Sequence, residues 1–145
     1  MNISTRVARG DDLEICLEME REMRAESRDA RGAPELFATY PDAVLQSPRG
    51  VTLVAVIDDH CVGFATLLFA VAGAEQCALI TRMFVTAGAR NVGVGDALVA
   101  VARLTAREQH CAWLDALALP GDRATKNLYE RNGLTARLLT ASTRL

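Results

Sequence analysis

Three things are missing from this chain of 145 residues: an excess of basic side chains, an apolar run long enough to cross a bilayer, and closely spaced cysteine pairs. Sixteen Lys and Arg face eighteen Asp and Glu, a net charge of −2. General nucleic-acid binding normally shows a basic balance, so a nucleic-acid partner is not expected. The longest apolar run, "CVGFATLLFAVAGA" (Cys61 to Ala74), falls short of the roughly 18 residues that a membrane helix takes, so no membrane partner is expected. The opening "MNISTRVARGDD" has no apolar core like that of a signal peptide, and the expectation is a soluble cytoplasmic protein. The four cysteines, Cys16, Cys61, Cys77 and Cys111, make no CxxC. Two stand beside a histidine, but neighbours on a strand point to opposite faces and rarely serve one metal. No metal site is expected, and the thiols read as small buried side chains in a reducing compartment. Repeats, low-complexity tracts and linkers are also lacking. Half the residues are apolar, so the chain reads as a single domain, 1–145, with one sizeable core.

"ISTRVAR" (Ile3 to Arg9) reads as a strand. In "GDDLE", Asp11 can cap a helix that carries Leu13, Cys16, Leu17 and Met23 on one face. Glu18, Glu20, Glu22 and Glu26, with Arg21, Arg24 and Arg28, read mostly as that helix's solvated side. The segment from Arg28 to Gly50 holds three of the four prolines and reads as a loop, a short helix near Glu35 to Leu45, and a turn, serving as a lid or a surface connection. "VTLVAVI" and "CVGFATLLFAVA" form a hairpin across Asp58 and Asp59. Its second strand is apolar on both faces, which predicts helices on both sides of the sheet. "CALITRMFVT" (Cys77 to Thr86) is a buried strand, and a helix follows from about Gly93. "CAWLDALAL" (Cys111 to Leu119) is a strand, "RATKNLYERN" a helix between an Asp122 cap and a Gly133 stop, and "LTARLLTASTRL" a closing strand. The predicted order is β-α-α-β-β-β-α-β-α-β, an α/β fold with a mixed sheet and helices on both faces.

"ARNVGVGDALV" carries the most chemistry. A helix opens just after Gly93-x-Gly95. Its first amides lack intrahelical partners and carry the positive end of the dipole. The glycines remove side chains that would hold a ligand away, and Arg90 adds charge, so the turn suits a phosphate or diphosphate. It is not a P-loop, because Asp96-Ala97 stands where Lys and Ser or Thr are needed. It is not a dinucleotide fingerprint either, because the third glycine is replaced by Leu98.

Arg90-Asn91-Val92-Gly93-Val94-Gly95 resembles motif A (R/Q-x-x-G-x-G/A) of the Gcn5-related N-acetyltransferases, and follows a strand ending at Val85 as that motif does. "NLYERNGL" (Asn127 to Leu134) is similar to the family's "LYEKxGF" segment, and the likeness in element order covers nearly the whole chain. Asp122 and Thr125 stand where many members have Asn and Ala.

The resemblance implies transfer of acetyl, or another small acyl group, from acetyl-CoA to a primary amine on a small molecule or peptide, by direct attack in a ternary complex. It places the diphosphate on Arg90 to Gly95, near Asp96, and the pantetheine arm along Met83, Phe84 and Val85, with Asn127 as a substitute contact. Tyr129 is placed to protonate the leaving thiolate. The fourth strand has no carboxylate to act as base. Asp115 on the next strand is the nearest candidate, with Glu75 or a water chain as alternatives, and Arg82 reads as a solvated residue or a grip for an acidic substrate. A homodimer stays open. Two other readings remain: a catalytically idle acyl-CoA sensor or interaction domain of the same fold, and an unrelated nucleotide-binding α/β module.

Overall fold

In the computed structural model, which describes all 145 residues, the apolar segments form five strands: β1 (Ile3–Val7), β2 (Gly50–Ile57), β3 (His60–Ala72), β4 (Glu75–Val85) and β5 (Trp113–Ala116). Four helices connect or flank them: α1 (Leu13–Glu26), α2 (Ala33–Thr39), α3 (Val94–Glu108) and α4 (Arg123–Arg131). The strands add in chain order, antiparallel as far as β4, with β5 parallel to β4. This is the mixed sheet expected from the sequence. No helix is long and apolar enough to cross a membrane.

The β2–β3 hairpin turns at Asp58 (φ 48°) and Asp59 (φ 64°). Two central residues in the left-handed region make the tight turn whose twist matches the flanking strands, and aspartate tolerates that region better than most residues. Side-chain alternation then splits the core in two. Leu53, Ala55, Ala65, Leu67, Ala78 and Ile80 meet Val94, Leu98, Val99 and Ala102 of α3 on one face. Val54, Phe64 and Phe84 meet Cys16 and Met19 of α1 on the other. Helices therefore cover both faces, as the two-sided apolar β3 requires.

Three local expectations are corrected. Asp12, not Asp11, stands at the cap position before α1, and its carboxylate turns back from the helix to accept from the Arg9 N–H (2.7 Å) and pair with Arg6. The Arg6 hydrogen bond is the main reason its pKa falls to about 2. The inward stripe of α1 is Cys16, Met19, Glu20 and Met23, spaced i, i+3, i+4, i+7, while Leu17 is 45 % exposed. The helix is turned this way because Glu20, read as solvated, has a buried cationic partner. The closing strand is absent. Residues 134–145 join no ladder, and Leu138 and Leu139 are each 88 % exposed. A strand needs a partner's hydrogen bonds, and this segment's contact with the sheet edge is the Arg137 guanidinium 3.9 Å from the Trp113 ring centre.

Candidate active site at the split in the sheet

β4 and β5 pair over four residues each, Cys77–Ile80 against Trp113–Ala116, and the Leu117 N–H still reaches the Ile80 carbonyl at 3.3 Å. Beyond that point β5 has ended, while Thr81 to Val85 of β4 continue against β3 alone. A bulge helps the strands part. Thr66 of β3 aligns with Arg82 and Leu67 with Ile80, so Thr81 is the extra residue, and an extra residue bends its strand. Thr86 N–H donates to Val62 of β3 (2.9 Å). Backbone groups alternate along a strand, so those of Val85 and Met83 turn the other way, into the split. The result is a cleft of about 930 Å³ between β4, the β5–α4 connection and the α1–α2 segment. Met83, Phe84, Val85 and Asn127 line it, as do Arg90, Asn91, Gly93, Val94, Gly95 and Asp96. Val92 is absent from the lining, and its side chain is 41 % exposed on the turn.

The turn into α3 has strained backbone where the sequence is permissive. Asn91 has φ 65° and Gly93 φ 97°. A Cβ at Gly93 would meet nothing closer than Ile3 at 3.7 Å, so it is the dihedral angle that calls for glycine. Ala97 N–H donates to the Gly93 carbonyl (3.0 Å), and the N–H groups of Val94 and Gly95 ahead of it have no intrahelical acceptor. Gly95 lines the cleft and has a packing role besides. A Cβ there would lie 3.0 Å from Leu128, so this glycine lets α4 approach α3.

The charges are also already engaged. Arg90 donates through Nη2 to both Glu26 oxygens at 2.8 Å and through Nε to the Val85 carbonyl at 2.8 Å, bridging the turn to the end of α1. Asp96 accepts from Arg131 (2.9 Å) and Asn132 (2.8 Å), which ties α3 to α4, and the Arg131 hydrogen bond is the main cause lowering its pKa.

Tyr129 sits on α4, which starts at an Asp122 cap accepting the Thr125 N–H (3.0 Å) and stops at Gly133 (φ 87°). It is 6 % exposed and lines the cleft. Its hydroxyl is the one buried side-chain polar atom in the protein without a hydrogen-bond partner. Burial, then the charge of Asp122, raises its pKa, so the phenol keeps its proton at neutral pH.

The structure does not bring Asp115 to this place. It is exposed on β5, outside the cleft lining, where its charge adds to burial in raising the Cys77 thiol. Its strand parted from β4 before reaching the cleft. All four thiols are free, Cys16 and Cys77 buried and Cys61 and Cys111 half-buried, and burial pushes Cys16 up to about 12. Arg82, read from the sequence as solvated or as a grip for an acidic substrate, is instead a buried residue. It is 1 % exposed and donates to both Glu20 oxygens (2.8 and 3.1 Å), to the Tyr40 carbonyl (2.7 Å) and to the Thr81 carbonyl (3.2 Å). An arginine inside the apolar run "ALITRMFV" was the available signal, since a buried guanidinium needs a partner.

A sheet split at a parallel edge, with free amides at one end and an unpartnered buried phenol on one wall, makes this an α/β domain with a cleft at the split. A model of the "Acetyltransferase (GNAT) family" matches residues 16–134, and the chain belongs to that family. A search of curated proteins finds no match. Solved structures share the fold at low identity. A transcriptional regulator from Bacillus halodurans C-125 is 20 % identical with a TM-score of 0.77, over 99 % of this chain and 100 % of that one. A ribosomal-protein-alanine N-acetyltransferase from Brucella melitensis biovar Abortus 2308 is 18 % identical with a TM-score of 0.75, over 99 % of each chain. An aminoglycoside acetyltransferase from an uncultured soil metagenomic sample, solved in complex with sisomicin, is 15 % identical with a TM-score of 0.74, over 99 % and 95 %.

Proposed function

We propose that this protein is an acyl-CoA-dependent N-acyltransferase that moves an acetyl group from acetyl-CoA to a primary amine by direct attack in a ternary complex. The observation that carries this reading is the Tyr129 hydroxyl, buried, protonated and unpartnered on the wall of a cleft whose opposite side is an open strand edge. Buried polar groups in native proteins nearly always have a partner, and an orphan in a cleft marks a place for a ligand atom.

The diphosphate, the pantetheine arm and the leaving thiolate of acetyl-CoA each have candidate partners in this chain. The N–H groups of Val94 and Gly95 suit the diphosphate. Backbone groups of Met83 and the Val85 N–H suit the amides of the pantetheine arm as an added strand would, the Val85 carbonyl being taken by Arg90. Asn127 offers a further amide. Acetyl-CoA supplies the activated acyl group and the thiolate that leaves. The chain's part is to hold the acyl carbon close to the amine, exclude water, and keep a proton on Tyr129 Oη for the leaving sulfur. Arg90 is paired with Glu26, so diphosphate binding either shares its guanidinium or draws it from Glu26. Asp115 lies outside the cleft and has no part in this scheme.

The test is Tyr129→Phe, which keeps the ring and removes the proton. The expected result is a fall in kcat of about 10²-fold or more with acetyl-CoA affinity unchanged by calorimetry. Unchanged turnover removes Tyr129 from the mechanism. Acetyl-CoA binding without turnover of any amine makes the protein a sensor.

A further inference from the structure

The acceptor side of the cleft carries an inference of its own, which rests on the acyl-transfer reading. Five charged side chains line the cleft: Glu26, Arg90, Asp96, Asp122 and Arg131. None is idle. Glu26 is paired with Arg90 and Asp96 with Arg131. Asp122 caps α4, accepting the Thr125 N–H (3.0 Å) and hydroxyl (2.6 Å). Behind the wall, Glu20 is held by Arg82 and Arg24. Away from the Arg90–Gly95 turn the walls combine apolar side chains with Ser27, Thr81 and Asn127, and the Ser27 and Thr81 hydroxyls are already donated to the Met23 and Thr66 carbonyls. Met23, Ala30 and Leu36 come from the α1–α2 segment, and Leu117 and Leu119 from the chain after β5. The two sides meet: a Cβ at Gly32 would lie 3.6 Å from Leu119 Cδ2, so the loop before α2 touches the β5–α4 connection.

An ammonium pressed against such a wall, with every nearby carboxylate already engaged, is disfavoured relative to the neutral amine, and desolvation lowers its pKa. Asp122 is the one lining carboxylate without a cationic partner, so a second or third ammonium would have to compete there with the Thr125 N–H and hydroxyl, break one of the two standing ion pairs, or stay unpaired. We infer that the acceptor is a single amine carried on an apolar body, and that desolvation on this wall delivers it neutral without a side-chain base. The proton balance closes. The ammonium gives a proton to water, the N–C bond forms as the thioester C–S bond breaks, and the departing nitrogen proton goes to water. The thiolate takes the Tyr129 proton, and solvent restores it.

The experiment uses the full chain with two apolar monoamines, phenethylamine and leucinamide, and two polycations, spermidine and sisomicin. Thiol release from acetyl-CoA gives kcat/KM, and calorimetry on the coenzyme A-loaded protein gives amine binding. The inference expects the monoamines to exceed the polycations by roughly tenfold or more in kcat/KM. It also expects the acidic limb of the pH profile to move with the acceptor's own pKa. Leu119→Asp, checked for retained acetyl-CoA binding, should lower the monoamine rate and narrow the gap to spermidine. Polycations used equally well or better overturn the inference while the acyl-transfer reading stands. An acidic limb fixed at one pH for all acceptors assigns a protein base and overturns it likewise. Monoamine binding without thiol release keeps the apolar site and ends the acyl-transfer reading. Absence of monoamine binding to the loaded protein overturns the inference.

Discussion

Replacing Glu20 by Ala removes the counter-charge of a fully buried cation, and the structure lets the size of the effect be worked out. Glu20 accepts two hydrogen bonds from Arg82 (2.8 and 3.1 Å) and one from Arg24 (3.1 Å). The Arg82 side chain has no exposure and that of Glu20 only 7 %. The Arg24 and Arg82 guanidinium carbons lie 4.3 and 4.8 Å from the Phe37 ring centre, so without Glu20 two like charges share one ring. An exposed ion pair contributes about 0–1 kcal/mol, whereas stripping one partner from a buried pair costs about 3–5 kcal/mol. Burial selects the second range here. Against a total stability of about 5–15 kcal/mol that is a large fraction, and for a domain near this length it lowers Tm by on the order of 10 °C. The Tyr40 and Thr81 carbonyls still accept from Arg82 and hold the loss toward the lower end. Urea unfolding of wild type, Glu20→Ala, Arg82→Met and the double variant Glu20→Leu/Arg82→Met measures the coupling. The double variant should lose much less than the Glu20→Ala single, because no charge is left buried alone. A Glu20→Ala loss under about 1 kcal/mol would show that Arg82 is hydrated or paired elsewhere, and would refute the reasoning.

Two further perturbations separate roles that the sequence ran together. Gly93→Ala forces a Cβ into φ 97°, with room around it, so the expected loss is about 1–2 kcal/mol in urea unfolding from backbone strain with the fold retained; a stability equal to wild type would contradict the left-handed turn. Asp12 has a folded pKa of about 2, below its ordinary 3.8, so its contribution is present above about pH 4 and is lost as pH falls from 4 toward 2; it amounts to on the order of 2 kcal/mol. Asp12→Asn should flatten that stretch of the stability–pH curve, and an unchanged slope there would place the acid sensitivity in another carboxylate.

The elements that depend on local pattern could be read from residues alone. The Asp58–Asp59 turn and the α4 cap at Asp122 with its stop at Gly133 are decided by neighbours within a few positions. The Arg90–Gly95 turn was legible for the same reason, since its dihedral angles and bare amides are local properties. So was the candidacy of Tyr129, through its motif, though not its orphaned hydroxyl, which exists only because other elements bury it. What the residues could not reveal was pairing at a distance. Glu20 on a charged helix is indistinguishable from its solvated neighbours until Arg82, sixty-two positions away, turns out to be buried beneath it. Arg90 looks like a free cation until Glu26 closes on it, and the packing of Leu128 against Gly95 shows only once α4 has docked on α3. Asp115 was misplaced because two strands that pair for four residues then part, and the point of parting depends on a bulge at Thr81 and on where β5 ends. Local sequence determines the shape of each turn and the face of each strand. Which charges meet, and where the sheet opens, is decided by the tertiary structure, because a charge or strand edge finds its partner only after distant segments have docked.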